Sequence, residues 1–467
     1  MRLAAVPVVF SAALFLGIFL PHAAGSFFLY DDFAILAGAP GLGFRELMTR
    51  ETGGFFRPVA VLLFGWQSQV FGWNSPAGYA VISLALHTLN AALVALLLGR
   101  FGADRAAAIA GFALFFASPW AGEAFFWTSA QFDLLATAAV LGTCLLGSAY
   151  LEAAGPRRGM LAAAALACAA LALLSKESAV PIPALFLTVV AARPFARPPS
   201  RKLAAAVSVL ATLVVGYLLL RSRVLPGLEG PYGRFGDLVK ASHLLENAMR
   251  FGRAFVQLPL PRYPLLPTGA AFVLTVLWTI SLGRLLRQNW RRAAALLLGF
   301  AVSLTPVVFV GLEPGSTAGG RLLYLPGVFA VCLFVIAWHR SSLAPVAVAL
   351  ILALSLPSLV WQNRLWSAAA DLSRAAVERF GAALPSARPI WVLDLPSTFE
   401  EGPYVLKAYA FRCFFGERLT VPVRAEAIVL GWRDGGPVAL RSMPDPFSDP
   451  PQRDELTLSL GVVPAER

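Results

Sequence analysis

Charged residues are scarce in this sequence: Asp, Glu, Lys and Arg make up only 14% of its 467 residues, whereas 58% are hydrophobic. The mean hydropathy of +0.70 is far above that of soluble proteins. Apolar runs of bilayer-spanning length recur along the chain. The shortage of charge therefore excludes a soluble globular protein and predicts an all-α polytopic membrane protein.

Cysteine and histidine are also rare, with four residues of each type. Three of the cysteines lie inside apolar runs and the fourth stands alone, so their spacing predicts neither a disulfide framework nor a metal site. No two histidines have the spacing of zinc ligands. His87, inside the second apolar run, is expected to be a packed and hydrogen-bonded interior residue.

The apolar runs predict about eleven transmembrane helices. They cover approximately residues 3–21, 77–99, 106–118, 130–151, 160–174, 178–192, 203–220, 269–283, 293–311, 322–338 and 343–361. Two of the runs, 106–118 and 160–174, are short for a full span, which indicates that they extend into neighbouring loops or cross at a different tilt.

The arginines are distributed unevenly among the connections between these runs. With a cytoplasmic N-terminus, alternate connections carry basic clusters, and Asp104 and Glu152 are the only acids in them. The five clusters are Arg100 with Arg105; Arg157 with Arg158; Arg193, Arg197, Arg201 and Lys202; Arg284, Arg287, Arg291 and Arg292; and Arg340. This pattern obeys the positive-inside rule. The net charge of +12 therefore orients the chain in the cytoplasmic (inner) membrane and does not indicate a nucleic-acid partner. The other connections hold the acids, so acid-dependent chemistry is expected on the extracytoplasmic face.

Two adjacent carboxylates, Asp31 and Asp32, follow the first apolar run in the segment FFLYDDFAIL. A charge at the edge of a bilayer is costly and neighbouring acids repel each other, so the pair is the first candidate for a catalytic site. The structural alternative is that the acids cap the first helix of the loop. Residues 1–25 also have the basic start, apolar run and small residues of a cleaved signal peptide. Both interpretations of the N-terminus place the pair on the outer face.

Two of the outer loops are long, at about residues 25–76 and 222–268. The first contains glycines beside aromatics and is expected to lie along the membrane interface. Its Arg57 precedes Pro58, so it is also placed to start the next helix and to pair with Glu51. The second loop is rich in arginine on the face that the rule leaves poor in positive charge. These arginines indicate either binding of phosphate or anionic headgroups, or snorkelling at the interface.

Three short outer connections carry the other charged candidates. ASPWAGEAFFWTSAQFDLL contains Glu123 and Asp133, and a carboxylate at the membrane end of a helix requires a partner. In LALLSKESAVPIP, Lys176 is either the neutralising partner of a carboxylate or a point-charge ligand for phosphate, and Glu177 follows it. In GSTAGGRLLYLPGVF, Arg321 begins a helix after a Gly-rich approach, which favours an anion.

The composition changes after Trp361. Residues 363–384 alternate polar and apolar residues at helical spacing, ARPIWVLDLP is typical of a buried strand, and GPYVLKAYAFRCFFG indicates a further helix. We therefore divide the chain into a transmembrane catalytic core at residues 1–361 and a small extracytoplasmic α/β domain at residues 362–467. No catalytic motif is evident in the second domain.

Six motifs follow one another along the first domain: YDDF, FFRPV, PAGYAVISLALHTLNAALVALLL, SPWAGEAFFWTSAQFDLLA, LLSKESAVPIP and GGRLLYLPGVF. In this order they resemble the membrane core of GT-C fold glycosyltransferases, and in particular the bacterial relatives of the transmembrane-and-TPR O-mannosyltransferases. The resemblance covers about residues 5–360. Two features depart from it: the sequence has no tetratricopeptide repeats, and Gly319 and Gly320 stand where relatives often have an acid.

The resemblance implies transfer of a sugar from a polyprenyl-phosphate donor to a protein or glycolipid acceptor on the extracytoplasmic face. Asp31 matches the first acid of the family's pair and is predicted to be the general base, with Asp32 orienting the acceptor or a cation. Lys176, Arg321 and Arg57 are the cations predicted to bind the donor phosphate. The geometry of donor and product implies a single displacement with inversion.

The remaining acids are second-tier candidates. Glu123, Asp133 and Glu177 are predicted to contact the acceptor or a metal ion. The sequence requires no cofactor, and a divalent cation such as Mg²⁺ or Mn²⁺ between acids and phosphate is the one candidate.

Three other functions share some of these features. An O-antigen polymerase or ligase also uses lipid-linked sugars outside the membrane, and the arginine-rich loop at 222–268 is the feature that most favours this function. A transporter also contains intramembrane charges, but the sequence has no convincing internal repeat. A non-catalytic scaffold would tolerate the change Asp31→Asn.

Overall fold

The structure is a computed structural model of the whole chain. It describes residues 2–39, 41–52, 54–194, 200–225, 240–260, 266–383, 389–400, 402–419, 421–433, 436–444 and 456–462. Arg234 and Arg262 of the predicted arginine-rich loop lie outside these residues.

Apolar helices dominate the described part of the chain. Eight of them are long and apolar enough to cross a membrane: Val6–Gly25, Pro76–Arg100, Thr128–Glu152, Pro156–Ser175, Ser200–Val224, Pro267–Leu304, Gly320–Trp338 and Ala344–Ala382. Three further apolar helices are shorter: Pro58–Phe71, Arg105–Phe116 and Ile182–Ala192. Every predicted run overlaps one of these helices, and the predicted class of α-helical polytopic membrane protein is confirmed.

Two helices differ from the prediction. Pro58–Phe71 lies where the sequence analysis placed an interfacial loop; its proline is at the first helical position, where a fixed φ and a missing N–H are favourable. The runs 269–283 and 293–311 belong to one segment, Leu266–Leu304, that breaks at Asn289 with φ −164° and ψ 90°. The Asn289 side chain accepts the N–H of Arg292 at 3.1 Å and so caps the second half.

The helix Gly320–Trp338 is enclosed by the others, because every residue from Tyr324 onward is buried. A helix that is apolar on all sides is suited to this position. His87 of a neighbouring helix places Nδ1 2.7 Å from the hydroxyl of Tyr324 and Nε2 3.0 Å from the carbonyl of Phe116. This confirms the prediction that His87 is a packed interior residue. The end of the enclosed helix that carries Arg321 is thereby fixed.

Short helical turns occupy the connections that the sequence predicts to be outer. Asp31–Gly38 and Phe44–Leu47 follow the first span, while Glu123–Phe126 and Thr128–Ala130 precede the span that ends at Glu152. A further turn, Glu177–Ala179, joins two apolar helices. These turns hold polar side chains at the ends of the apolar helices.

A small sheet domain follows the helix Ala344–Ala382, which crosses the predicted boundary at residues 361 and 362 without a break. The sheet has the order β3-β2-β1-β4, with β1 parallel to both β2 and β4 and β2 antiparallel to β3. Its strands are β1 (Ile390–Phe399), β2 (Val423–Arg433), β3 (Gly436–Pro444) and β4 (Leu456–Leu458). The predicted strand ARPIWVLDLP and the small C-terminal α/β domain are confirmed.

The helix predicted in GPYVLKAYAFRCFFG is shorter than expected and covers only Tyr409–Phe415. The residues before it are extended because they pair with β1: the N–H of Val405 donates to Ser397 O at 2.8 Å and the N–H of Leu406 to Pro396 O at 3.1 Å. Val405 O in turn accepts the N–H of Tyr30 at 3.0 Å, which joins the sheet domain to the first outer loop.

Candidate active site

Side chains from several separate segments line a cavity of about 190 Å³ at the ends of apolar helices. Five of the predicted site residues are among them: Asp31, Arg57, Asp133, Lys176 and Arg321. Aromatic rings complete the wall, and the guanidinium carbon of Arg57 lies 3.8 Å from the ring centroid of Phe55. The fold therefore collects in one place charges that are far apart in the sequence.

Arg321 is held by Glu123, which is fully buried behind the cavity wall. Glu123 Oε1 pairs with Nη1 of Arg321, and Oε2 accepts the backbone N–H of Arg321 at 3.0 Å. The guanidinium also lies 4.8 Å from the ring centroid of Trp127. Burial raises the pKa of Glu123, and the charge of Arg321 opposes this rise. Glu123 thus fixes both the backbone and the side chain of Arg321, and it does not itself line the cavity.

The other two cations are held in the same way. Lys176 Nζ lies 2.5 Å from Asp133 Oδ2, and Nε and Nη2 of Arg57 both lie 2.9 Å from Glu177 Oε2. Arg57 also directly precedes the helix Pro58–Phe71, which is the structural alternative that the sequence offered for it. The carboxylate that it bonds is Glu177, however, and the suggested pair with Glu51 is not observed among the described contacts. Each acid leaves its cation in the cavity wall while neutralising it from one side.

The three cations are close enough to influence one another. Burial lowers the pKa of Lys176 to about 8, Asp133 raises it, and the positive charges of Arg57 and Arg321 lower it further. An anion that enters the cavity offsets the repulsion between these positive charges and stabilises the charged form of each side chain. The cluster is therefore suited to a group with several negative oxygens, such as a phosphate.

Asp31 lines the same cavity as these cations and is half exposed, with 46% of its side-chain surface accessible. It lies in the first turn of the helix Asp31–Gly38. Its Oδ1 is 3.0 Å from the Tyr409 hydroxyl and 3.3 Å from Lys407 Nζ. Both contacts in the described part of the chain go to Oδ1, so Oδ2 is the oxygen that remains to accept a proton from a bound molecule.

Asp32 has a different environment, because it is fully buried and does not line the cavity. Its Oδ2 accepts the N–H of Leu29 at 2.8 Å, while its Oδ1 accepts the N–H of Ser129 at 2.8 Å and also the Ser129 hydroxyl. Burial raises the pKa of Asp32 to about 7, and these hydrogen bonds oppose the rise. An acceptor or cation would have to displace these donors to reach Asp32. Its contacts are those of a residue that joins the first outer loop to Ser129.

The acids do not form a metal site by themselves. Among the described residues, no group of three or more His, Cys, Asp and Glu side chains is placed to hold an ion. Glu123, Asp133 and Glu177 each bond a cationic side chain instead, and those cations compete with a metal ion for the same oxygens. The residues present therefore do not fit a divalent cation held by the protein alone.

Sequence reasoning missed the side chains that the C-terminal domain brings to this site. They are Tyr404, Lys407 and Tyr409, from the extended segment after β1 and the first residue of the next helix. Their only signal in the sequence was a lysine between aromatics in GPYVLKAYAF, which matches no catalytic motif.

No protein-family model matches the sequence, and no curated protein sequence matches it. The three-dimensional fold is that of the GT-C class, which confirms the fold predicted from the six motifs. The solved structure that carries this finding is ArnT from Cupriavidus metallidurans in the apo state, with a TM-score of 0.52 and 14% identity over 90% of this chain and 92% of that chain. A second structure of ArnT from the same organism, bound to undecaprenyl phosphate, has a TM-score of 0.46 and 17% identity over 91% and 93% of the two chains. At this identity the likeness concerns the fold alone.

Proposed function

We propose that this protein is a membrane glycosyltransferase that transfers a sugar from a polyprenyl-phosphate donor to a hydroxyl group of a protein or glycolipid on the extracytoplasmic face. One observation carries the proposal: Arg57, Lys176 and Arg321 line one cavity together with the half-exposed Asp31. A cation cluster that shares a cavity with a carboxylate held by none of these three cations suits a reaction in which a phosphate leaves while a proton is removed.

The chemistry follows from the carboxylate and the three cations that line the cavity. Asp31 Oδ2 takes the proton of the acceptor hydroxyl as its oxygen forms a bond to the anomeric carbon. The bond between that carbon and the phosphate oxygen breaks, and the electron pair stays with the polyprenyl phosphate. Lys176, Arg57 and Arg321 stabilise the charge that develops there. Attack and departure on opposite sides of one carbon give inversion of configuration.

The environment of the cavity supports a lipid-linked donor. The helix Pro58–Phe71 contributes Val61 to the cavity, and its next residues Leu62 and Leu63 line an apolar groove of about 590 Å³. Trp66 of the same helix lies in the groove and is exposed on the apolar surface. A polyprenyl chain in this groove would place its phosphate beside Arg57.

The polymerase or ligase alternative has less support. None of the described arginines in the loop 222–268 lines the cavity, and Arg250 pairs with Glu246 of its own helix at 2.6 Å. A transporter or scaffold gives no function to a cavity that Asp31 shares with three cations.

Release of undecaprenyl phosphate from synthetic undecaprenyl-phosphate sugars, in the presence of mixed acceptors, tests the proposal. We expect release by the purified protein, a decrease of about 10²- to 10⁴-fold in Asp31→Asn, as for loss of a general base, and a strong decrease in Arg321→Ala. The matched control is Asp371→Asn, an exposed acid that pairs only with the nearby Arg374 in the described structure. Full activity of Asp31→Asn contradicts the assignment of the base, and no donor consumption with any acceptor contradicts the transferase.

A further inference from the structure

Residues 402–409 of the C-terminal domain cross over the site from Arg321 to Asp31, and we name them the strap. At one end, Gly402 has φ +125° and packs on the turn before Arg321 so closely that a Cβ there would lie 2.7 Å from both Ser316 Oγ and Thr317 Oγ1. Only glycine combines this φ with this close approach. The strap is thus seated on the segment that presents Arg321.

The middle of the strap contacts Tyr30, which precedes Asp31, and Trp127, which lines the cavity. The Tyr404 ring stacks on Tyr30 at 4.9 Å between centroids and lies 5.2 Å from the ring of Trp127. Burial raises the pKa of the Tyr404 hydroxyl, and the nearby positive charge of Arg321 opposes this rise. Tyr404 is therefore shared by the cation side of the site and by the residue that precedes Asp31.

The far end of the strap holds Asp31. Lys407 Nζ lies 3.3 Å from Asp31 Oδ1 and 3.4 Å from the ring centroid of Tyr30. The Tyr409 hydroxyl is 3.0 Å from the same Oδ1 and 3.1 Å from the carbonyl oxygen of Tyr30. Only 9% of the Lys407 surface is exposed, although lysine is usually a surface residue.

Tyr30 supplies a second, independent sign of constraint. Among the described residues it is the one non-glycine residue with positive φ, at 47°. Such a conformation costs about 1–3 kcal/mol and persists where surrounding contacts enforce it, often at active sites. Here its N–H, its carbonyl and its ring all contact the strap.

We infer that Lys407 is a positioning residue for Asp31: with Tyr409 it fixes Oδ1, so that Oδ2 is presented to the acceptor hydroxyl. The inference rests on the proposed function, because it assigns Asp31 as the base. It also gives the C-terminal domain a function, since the base is correctly oriented only when the strap is docked on the membrane core.

The contact itself can be tested without activity. A water-soluble carbodiimide adds to the half-exposed Asp31 carboxylate. The Lys407 amine then displaces the reagent to form an amide, and the reagent leaves as a urea that carries away the elements of water. The chain has four lysines, Lys176, Lys202, Lys240 and Lys407, so peptide mapping by mass spectrometry is simple. We expect a cross-link between Asp31 and Lys407 in the wild type and none in Lys407→Arg. Its absence from the wild type overturns the inference whatever the activity.

Kinetics then test the positioning. We expect Lys407→Met to lower kcat by about 10- to 100-fold, the cost of misplacing a reacting group by about 1 Å, with little change in the KM for the donor. Lys407→Arg keeps the positive charge and is expected to restore most of kcat. Tyr409→Phe removes the other contact to Oδ1 with little change in volume and is expected to cause a smaller loss. Lys240→Met, at an exposed lysine outside the site, is the control.

The outcomes separate the inference from the proposed function. A wild type that consumes donor while Lys407→Met and Tyr409→Phe keep full kcat overturns the inference and leaves the transferase intact. Failure of Lys407→Arg to restore activity to a folded protein also overturns it. A wild type that forms the cross-link but consumes no donor contradicts the proposed function, and the positioning of a base falls with it.

Discussion

Lys176 Nζ lies 2.5 Å from Asp133 Oδ2, and each side chain is less than one-tenth exposed. A lysine at this depth without a partner would lose its charge, so the carboxylate is what keeps it a cation. The sequence left two functions open for Lys176, the partner of a carboxylate or a ligand for phosphate. The first is confirmed, and the same geometry leaves the ammonium in the cavity wall, where the second is our proposal.

The pH dependence of transfer should report on Lys176. Because its pKa is lowered to about 8, Lys176 is charged below that pH and loses its charge above it. We expect kcat/KM for the donor to fall as the pH rises through about 8. Lys176→Arg stays charged throughout, so the alkaline decrease should move to higher pH. Rates measured between about pH 6 and about pH 11 span the lowered and the ordinary pKa of lysine. An identical alkaline limb in both proteins contradicts the prediction.

The Glu123–Arg321 pair should be important for stability as well as for donor binding. Glu123→Ala leaves the guanidinium and the N–H of Arg321 without their buried acceptor, and breaking a buried pair costs about 3–5 kcal/mol. We expect a clear decrease of Tm in detergent and a higher KM for the donor. Glu123→Gln keeps an acceptor for the N–H and should lie between Glu123→Ala and the wild type.

An exposed pair offers the matched control for this prediction. Glu46 lies 3.9 Å from Arg50, and more than half of each side chain is exposed. Because exposed pairs contribute about 0–1 kcal/mol, Glu46→Ala should change Tm little. Equal shifts of Tm in Glu46→Ala and Glu123→Ala would show that the buried pair contributes no more to stability than the exposed pair.

The sequence predicted the membrane class, the GT-C fold and the convergence of Asp31 with three cations. These features could be predicted because each charge interrupts or ends an apolar run, where a charge is costly and indicates a partner or a functional site. The different environments of Asp31 and Asp32 were not accessible. Adjacent residues in a helical turn point about 100° apart, and only the packing of Leu29 and Ser129 decides which acid is buried.

The contribution of the C-terminal domain was equally hidden. Lys407 contacts Asp31 across a separation of 376 residues, and a lysine between aromatics has no local signal of that contact. The short helix Pro58–Phe71 was missed because a run of 14 residues is too short to indicate a span and was assigned to the interface.

Asp32 should make stability depend on pH. Its pKa is raised from 3.8 to about 7 in the folded protein, so the folded state keeps a proton that the unfolded chain releases near pH 4. Stability from this group is therefore full at low pH and is lost as the pH rises from about 4 to about 7. Asp32→Asn does not titrate, so the difference in Tm between wild type and variant should change in favour of the wild type as the pH falls through this window. A difference that is constant with pH contradicts the prediction.

Gly402→Ala should disturb the strap from the end opposite Lys407. The new Cβ would lie 2.7 Å from Ser316 Oγ in a conformation that side chains rarely adopt, which costs about 1–3 kcal/mol. We expect a Tm lower by several degrees and slower transfer, because Tyr404 and Lys407 move with Gly402 away from Arg321 and Asp31. Gly436→Ala in β3 is the control, since nothing lies within 4 Å of its Cβ position. If both variants transfer sugar at the wild-type rate, the seat of the strap on the membrane core is not required for a correctly placed base.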